Sequence, residues 1–196
     1  IVGNMDSSQA VVENCENYGS INGTGYHVGG IVGYSNSGSV EFINCSNQGS
    51  ITTVATVGEG GTAETNIGGI FACVEGGDGA TVTMQGCSNS GNITSNHNTT
   101  VSGAELIVGG LYGTNYLTPI TTALYNETYN TNSGDITING NIISSLAIGG
   151  CIGRIEGANS VAKYFKNLEG ADLVINAQNP VRMDFGGVVG HLNVNP

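Results

Sequence analysis

The sequence has no tryptophan, 3 prolines, and 4 Lys plus Arg against 15 Asp plus Glu, for a net charge of −11. The shortage of positive charge sets the first boundary. A phosphate backbone is repelled by such a chain, so nucleic acid is excluded as a partner. An anionic membrane surface is disfavoured for the same reason. No apolar run approaches the roughly 18 residues that a spanning helix needs, so membrane insertion is not expected. Charged residues of both signs make up only 10%, against about 25% in ordinary globular proteins; Asn, Ser and Thr supply the polarity. Helical periodicity is also missing, and 159–168 is the one stretch that admits a short helix.

The chemistry-bearing patterns are equally sparse. His27, His97 and His191 are scattered, and there is no Cys-x-x-Cys pair or His-Glu-x-x-His, so no metal or other cofactor is expected. No Gly-x-Ser-x-Gly elbow is present to place a hydrolase nucleophile. The five cysteines are an odd number and a poor disulfide framework. The short turn Glu75-Gly76-Gly77-Asp78-Gly79 superficially looks like a calcium loop but does not recur, so it is taken as a solvated acidic turn.

What the sequence does have is repetition. Val28-Gly29-Gly30-Ile31-Val32-Gly33 returns as Ile67-Gly68-Gly69-Ile70-Phe71-Ala72, then as Val108-Gly109-Gly110-Leu111-Tyr112-Gly113. It returns again as Ile148-Gly149-Gly150-Cys151-Ile152-Gly153 and Phe185-Gly186-Gly187-Val188-Val189-Gly190, and Ile1-Val2-Gly3 matches the tail of a sixth copy. The Gly-Gly pairs begin at 29, 68, 109, 149 and 186, a period that signals a stacked repeat. A second phrase alternates with the first: Asn14-Cys15-Glu16-Asn17-Tyr18-Gly19, Asn44-Cys45-Ser46-Asn47-Gln48-Gly49, Gly86-Cys87-Ser88-Asn89-Ser90-Gly91, Tyr129-Asn130-Thr131-Asn132-Ser133-Gly134, and a decayed copy near Asn167. Its Asn-x-Gly core is turn chemistry. Between the phrases lie β-branched runs such as Ser39-Val40-Glu41-Phe42-Ile43.

The chain is therefore expected to be one repeat domain over 1–196. The fold class is all-β, a right-handed parallel β-helix (β-solenoid) of about five three-stranded coils with loop insertions, the hand following from the crossover rule. Val28, Ile67, Val108, Ile148 and Phe185 would form one buried column, and Ile31, Ile70, Leu111, Cys151 and Val188 another. Apolar residues three apart across Gly-Gly break strict alternation, which places a bulge or corner there. Asn17, Asn47, Asn89 and Asn132 are expected to stack as an amide ladder. Cys15, Cys45 and Cys87, in one phase, are expected to be buried free thiols. Ile1 lies inside a copy and a fresh copy occupies 185–191. The chain thus reads as a fragment of a longer protein, with open ends that need a neighbouring domain or self-association.

The Gly-apolar-apolar-Gly segments resemble the GLUG motif. Gly30-Ile31-Val32-Gly33 and Gly110-Leu111-Tyr112-Gly113 match well, Gly150-Cys151-Ile152-Gly153 and Gly187-Val188-Val189-Gly190 with a changed second residue, and Gly69-Ile70-Phe71-Ala72 departs at the last position. The resemblance covers nearly the whole chain. It implies a bacterial cell-surface or secreted, adhesin-like protein; the motif also occurs in non-catalytic parts of immunoglobulin-A-cleaving metallopeptidases. No catalytic residue belongs to the motif, so none carries over.

The expected function is a non-catalytic extracellular module, adhesin-like or a stalk, and not an enzyme. Its possible partners are a glycan or a host or extracellular protein, met through the insertions at 52–66, 94–107 and 114–129, beside neighbouring domains of the parent chain. Tyr116, Tyr125, Tyr129 and Asn126, with Asn115 and Asn130 nearby, are the candidate binding residues; the competing reading is that the tyrosines cap the edge of the stack. Thr52, Thr94 and Thr137 share a phase, but one Thr per layer is thin for an ice-binding array. The alternative function is a polysaccharide lyase or hydrolase. It differs in one respect: cleavage requires carboxylates from adjacent coils to converge in a groove with a Lys or Arg, and finding them so would shift the reading to it.

Overall fold

The computed structural model describes residues 2–57, 64–77, 79–99, 103–116 and 118–193. These residues form an all-β parallel solenoid. One coil runs through five short strands, Val32–Ser35, Val40–Ile43, Ser46–Asn47, Ile51–Val57 and Glu64–Gly68. Each pairs in parallel with its equivalent in the coils before and after, giving five sheets of four to six strands. The repeat phrases set the register: Val28, Ile67, Val108, Ile148 and Phe185 align, as do Asn17, Asn47, Asn89, Asn132 and Asn167.

The five strands replace the three expected per coil. The glycine phrase contains a corner and divides between two strands, His27–Gly29 and Val32–Ser35, and the asparagine phrase carries a two-residue strand of its own, Ser46–Asn47. At 159–168 there is no helix: Val161 bridges to Thr121 and Phe165–Asn167 is a strand.

The coil encloses two apolar cores. One holds Ile31, Val32, Phe42, Cys45 and their stacked equivalents from the first three sheets; Phe71 stacks on Phe42 at 4.7 Å and on Tyr112 at 4.8 Å. The other holds Val28, Ile51, Ile67, Ile93 and their equivalents from the last two sheets. The two columns expected from the sequence thus lie in different cores, and their last members, Phe185 and Val188, are exposed because no coil covers them.

The waist between the cores is the Asn ladder. Nδ2 of Asn17 donates to Oδ1 of Asn47, and the series continues to Asn89, Asn132 and Asn167 at 2.7, 2.7, 2.8 and 2.9 Å in turn. Each of the first four amides also donates to the carbonyl of the Gly two residues on, at 2.9 Å. The second Gly of the glycine phrase presses against this ladder from the other side. A Cβ on Gly30 would strike the Gly69 carbonyl and lie 2.5 Å from Asn47 Cγ. Glycine is needed here for close approach, and the two repeat phrases are the two sides of one contact.

All five cysteines are free. Cys45 and Cys87 are buried, their thiols donating to the carbonyls of Val12 at 3.2 Å and Phe42 at 3.5 Å. Cys15, expected buried, is half-exposed because it is the first of its column. At the next level Asn130 takes the thiol's place and accepts from Cys87 N–H at 2.9 Å. Burial lifts Cys73 and Cys151 to about 12. In the folded protein one thiol, Cys15, should react rapidly with an aromatic disulfide reagent and four should be protected, while denaturant should release five. Fewer than five in denaturant would contradict the free-thiol column.

Candidate functional site: an axial groove outside the waist

Pinching the coil at the waist creates a concavity outside it. The chain enters the glycine phrase along the fifth sheet and leaves along the first. The residue just before the phrase and the one just after it flank this concavity. The leading positions align as His27, Asn66, Ile107, Ala147 and Asp184. The trailing positions align as Tyr34, Cys73, Thr114, Arg154 and His191. Between the last apolar residue of the phrase and the trailing residue an extra small residue (Gly33, Ala72, Gly113, Gly153, Gly190) turns the trailing side chain outward, since Val32 and Val74, next after Cys73, both face the core. His27 and Tyr34 stack across the groove with ring centroids 4.9 Å apart.

One end of the groove is a cavity of about 440 Å³ lined by Tyr26, His27, Tyr34, Glu64, Cys73, Glu75 and Tyr116. The Tyr34 hydroxyl donates to Glu75 Oε2 at 2.7 Å. Burial raises the Tyr34 hydroxyl above its ordinary range, and the bond to Glu75 adds to it. Burial lowers the His27 imidazole, so it stays neutral near pH 7. Beneath, Asn66 Nδ2 lies 3.3 Å from His27 Nδ1, and Asn66 Oδ1 and Thr114 Oγ1 have no partner among the described residues.

Beyond this cavity lies an ion cluster. Arg154, with its side chain 8% exposed, donates to Glu64 at 3.3 Å, Glu105 at 2.5 Å and Glu156 at 2.8 Å. Glu64 and Glu105 are stacked equivalents in successive coils. Three carboxylates share one guanidinium. Burial raises Glu64 above the usual carboxylate range, with Arg154 opposing it. Burial acts to lower Arg154, and Glu105 and Glu156 outweigh it, so its charge is secure. The far end of the groove is a smaller cavity of about 140 Å³ where Asp184 pairs with Arg182 at 2.8 Å and His191 at 2.9 Å.

The structure disperses the residues singled out from the sequence. Tyr116 lines the large cavity. Tyr125 and Thr128 pair across a tight turn in which Asn126 and Glu127 have φ of 46° and 66°. The Tyr125 Cβ fills the space over Gly86. Tyr129 lies under Lys166, whose Nζ is 3.6 Å from the ring centroid, and meets Tyr164 edge-on at 6.0 Å. Asn115 and Asn130 are fully buried and hold backbone groups. Thr52, Thr94 and Thr137 do stack, continued by Asn22 and Val174. Parts of the insertions, 58–63, 100–102 and 117, and Asp78 of the acidic turn, lie outside the described residues.

Sequence reading missed Tyr26, Tyr34, Glu64 and Arg154. The signal for the groove was nonetheless present: the positions flanking the glycine phrase hold two of the three histidines and Arg154. No profile of a known family, no curated protein and no solved structure matches the chain.

Proposed function

We propose that this solenoid is a non-catalytic surface module, adhesin-like or a stalk of a bacterial extracellular protein, and that it recognises glycan through the axial groove. The observation that carries this reading is the cavity in which three tyrosines and two carboxylates face one space of sugar-site size. Aromatic faces take the apolar face of a pyranose, and carboxylates accept from its hydroxyls. The feet of two insertions supply Glu64 and Glu105, and the third supplies Tyr116, so the variable segments open onto the groove. This moves the recognition surface from Tyr125, Tyr129 and Asn126 to the groove, while Tyr116 is retained.

The test is a glycan array probed with the parent chain and with Tyr26→Ala, Tyr116→Ala and Tyr125→Ala. Loss of signal is expected for the first two variants and retention for the third. Loss with Tyr125→Ala alone would return the site to the tight turn. No binding by the parent chain would leave a spacer role.

Cleavage is the second reading, because its condition is met: Glu64 and Glu105 from adjacent coils converge with Arg154 in one groove. In a hydrolase, Glu64 would protonate the leaving oxygen and Glu75 would activate water. Recognition is preferred because the convergence has another cause. A buried guanidinium needs paired carboxylates, and three of the four acids meet that need. Release of reducing ends from a polysaccharide, abolished by Glu64→Gln, would establish cleavage instead.

A further inference from the structure

Resting on the glycan reading, we infer that the cavity lined by Tyr26, Tyr34, Tyr116, Glu64 and Glu75 takes a protonated amine, so that the preferred glycan carries unacetylated amino sugar.

The charge around the cavity is one-sided. Its two ionisable acids are Glu64 and Glu75, and no Lys or Arg lines it. The nearest cation, Arg154, is spent on three carboxylates and leaves that cluster short of positive charge. His27 is neutral near pH 7, so it does not repel a cation. The net charge of −11 adds a long-range attraction for cations and repels uronic or sialic acid.

The hydrogen-bonding inventory points the same way. Tyr34 already donates its hydroxyl to Glu75, and the other Glu75 oxygen is an acceptor in an exposed position. A sugar hydroxyl offers one donor, whereas an ammonium offers three together with a charge. Tyr26 and Tyr116 line the same space as the two carboxylates, and tyrosine rings attract a cation. The chain uses this contact elsewhere, where Lys166 sits on Tyr129. An N-acetyl group offers one amide donor and no charge, and its methyl would face two carboxylates.

The experiment is calorimetric titration of the whole chain, near pH 7 at low salt, with glucosamine tetramer, N-acetylglucosamine tetramer and cellotetraose. The glucosamine tetramer is expected to bind about tenfold tighter than the other two, as one charge-assisted contact implies. The advantage should shrink at high salt and disappear in Glu75→Gln, an exposed change whose fold is checked by circular dichroism. Equal affinity for all three sugars would overturn the amine inference and leave glycan recognition standing. Tighter binding of either uncharged tetramer would overturn it as well. Binding of none would remove both readings.

Discussion

Gly110→Ala is expected to remove a large share of the solenoid's stability, while Gly187→Ala at the same place in the repeat phrase leaves stability unchanged. A Cβ on Gly110 would run into the Gly150 carbonyl and the Asn132 amide, with Nδ2 at 2.7 Å. Neither neighbour has room to yield. The Gly150 N–H is bonded onward to the Gly186 carbonyl at 3.1 Å, and Asn132 Nδ2 donates to Gly134 O and Asn167 Oδ1, both at 2.9 Å. Overpacking a core that can adjust costs about 1–3 kcal/mol; with backbone on one side and the ladder on the other, the cost here is on the order of 4 kcal/mol. That is a large share of the roughly 5–15 kcal/mol that holds a domain folded. At Gly187 an added Cβ meets nothing within 4 Å, because no further coil lies over it. Urea midpoints followed by circular dichroism compare the two variants. Equal destabilisation would mean that close approach is not what requires glycine at this position.

The pairing of those two glycines shows how far the sequence was legible. Periodicity announced the solenoid, because each stacked column repeats the same residue type: Val28, Ile67, Val108 and Ile148 need identical surroundings in every coil. The Asn ladder followed from the same logic and extends one rung further than expected, to Asn167, where the phrase has otherwise decayed. The strand count was hidden because a corner falls inside the glycine phrase and the asparagine phrase carries a strand of its own. The groove was hidden for a different reason. Arg154 and Glu64 are 90 residues apart in sequence, on two different sheets, and meet only once the coils are stacked. A single copy of the repeat shows neither partner. Nor does the sequence show that Gly30 and Asn47 touch, since one phrase faces the other across the interior and not along a column. Site residues on such a framework are the outward positions that the stacking does not constrain, and these vary from coil to coil, as the series Tyr34, Cys73, Thr114, Arg154 and His191 does.

The ladder carries the second large effect. Asn89→Ala should destabilise the protein far more than Asn17→Ala. Asn89 is 1% exposed; its Oδ1 accepts from Asn47 at 2.7 Å, and its Nδ2 donates to Asn132 at 2.8 Å and to Gly91 O at 2.9 Å. Truncation leaves three buried groups short of a partner and opens a void against Gly69, a loss on the order of 3–5 kcal/mol. Asn17 stands at the first rung, half-buried, where water replaces the lost partners, and its loss costs about 1 kcal/mol. Asn89→Asp separates polarity from packing, since it keeps the shape and replaces both amide hydrogens with negative charge. Its ionised form would face the Asn132 and Gly91 oxygens with no donor, so burial must raise the carboxyl above its unfolded value. A raised carboxyl destabilises the fold as pH rises from the unfolded towards the folded pKa. Asn89→Asp should therefore be less stable than Asn89→Ala near neutral pH and should recover on acidification, when the protonated carboxyl regains one donor. Unfolding midpoints measured across that range would decide it: a pH-independent Asn89→Asp, or an Asn17→Ala as damaging as Asn89→Ala, would show that the amides merely fill space at the waist.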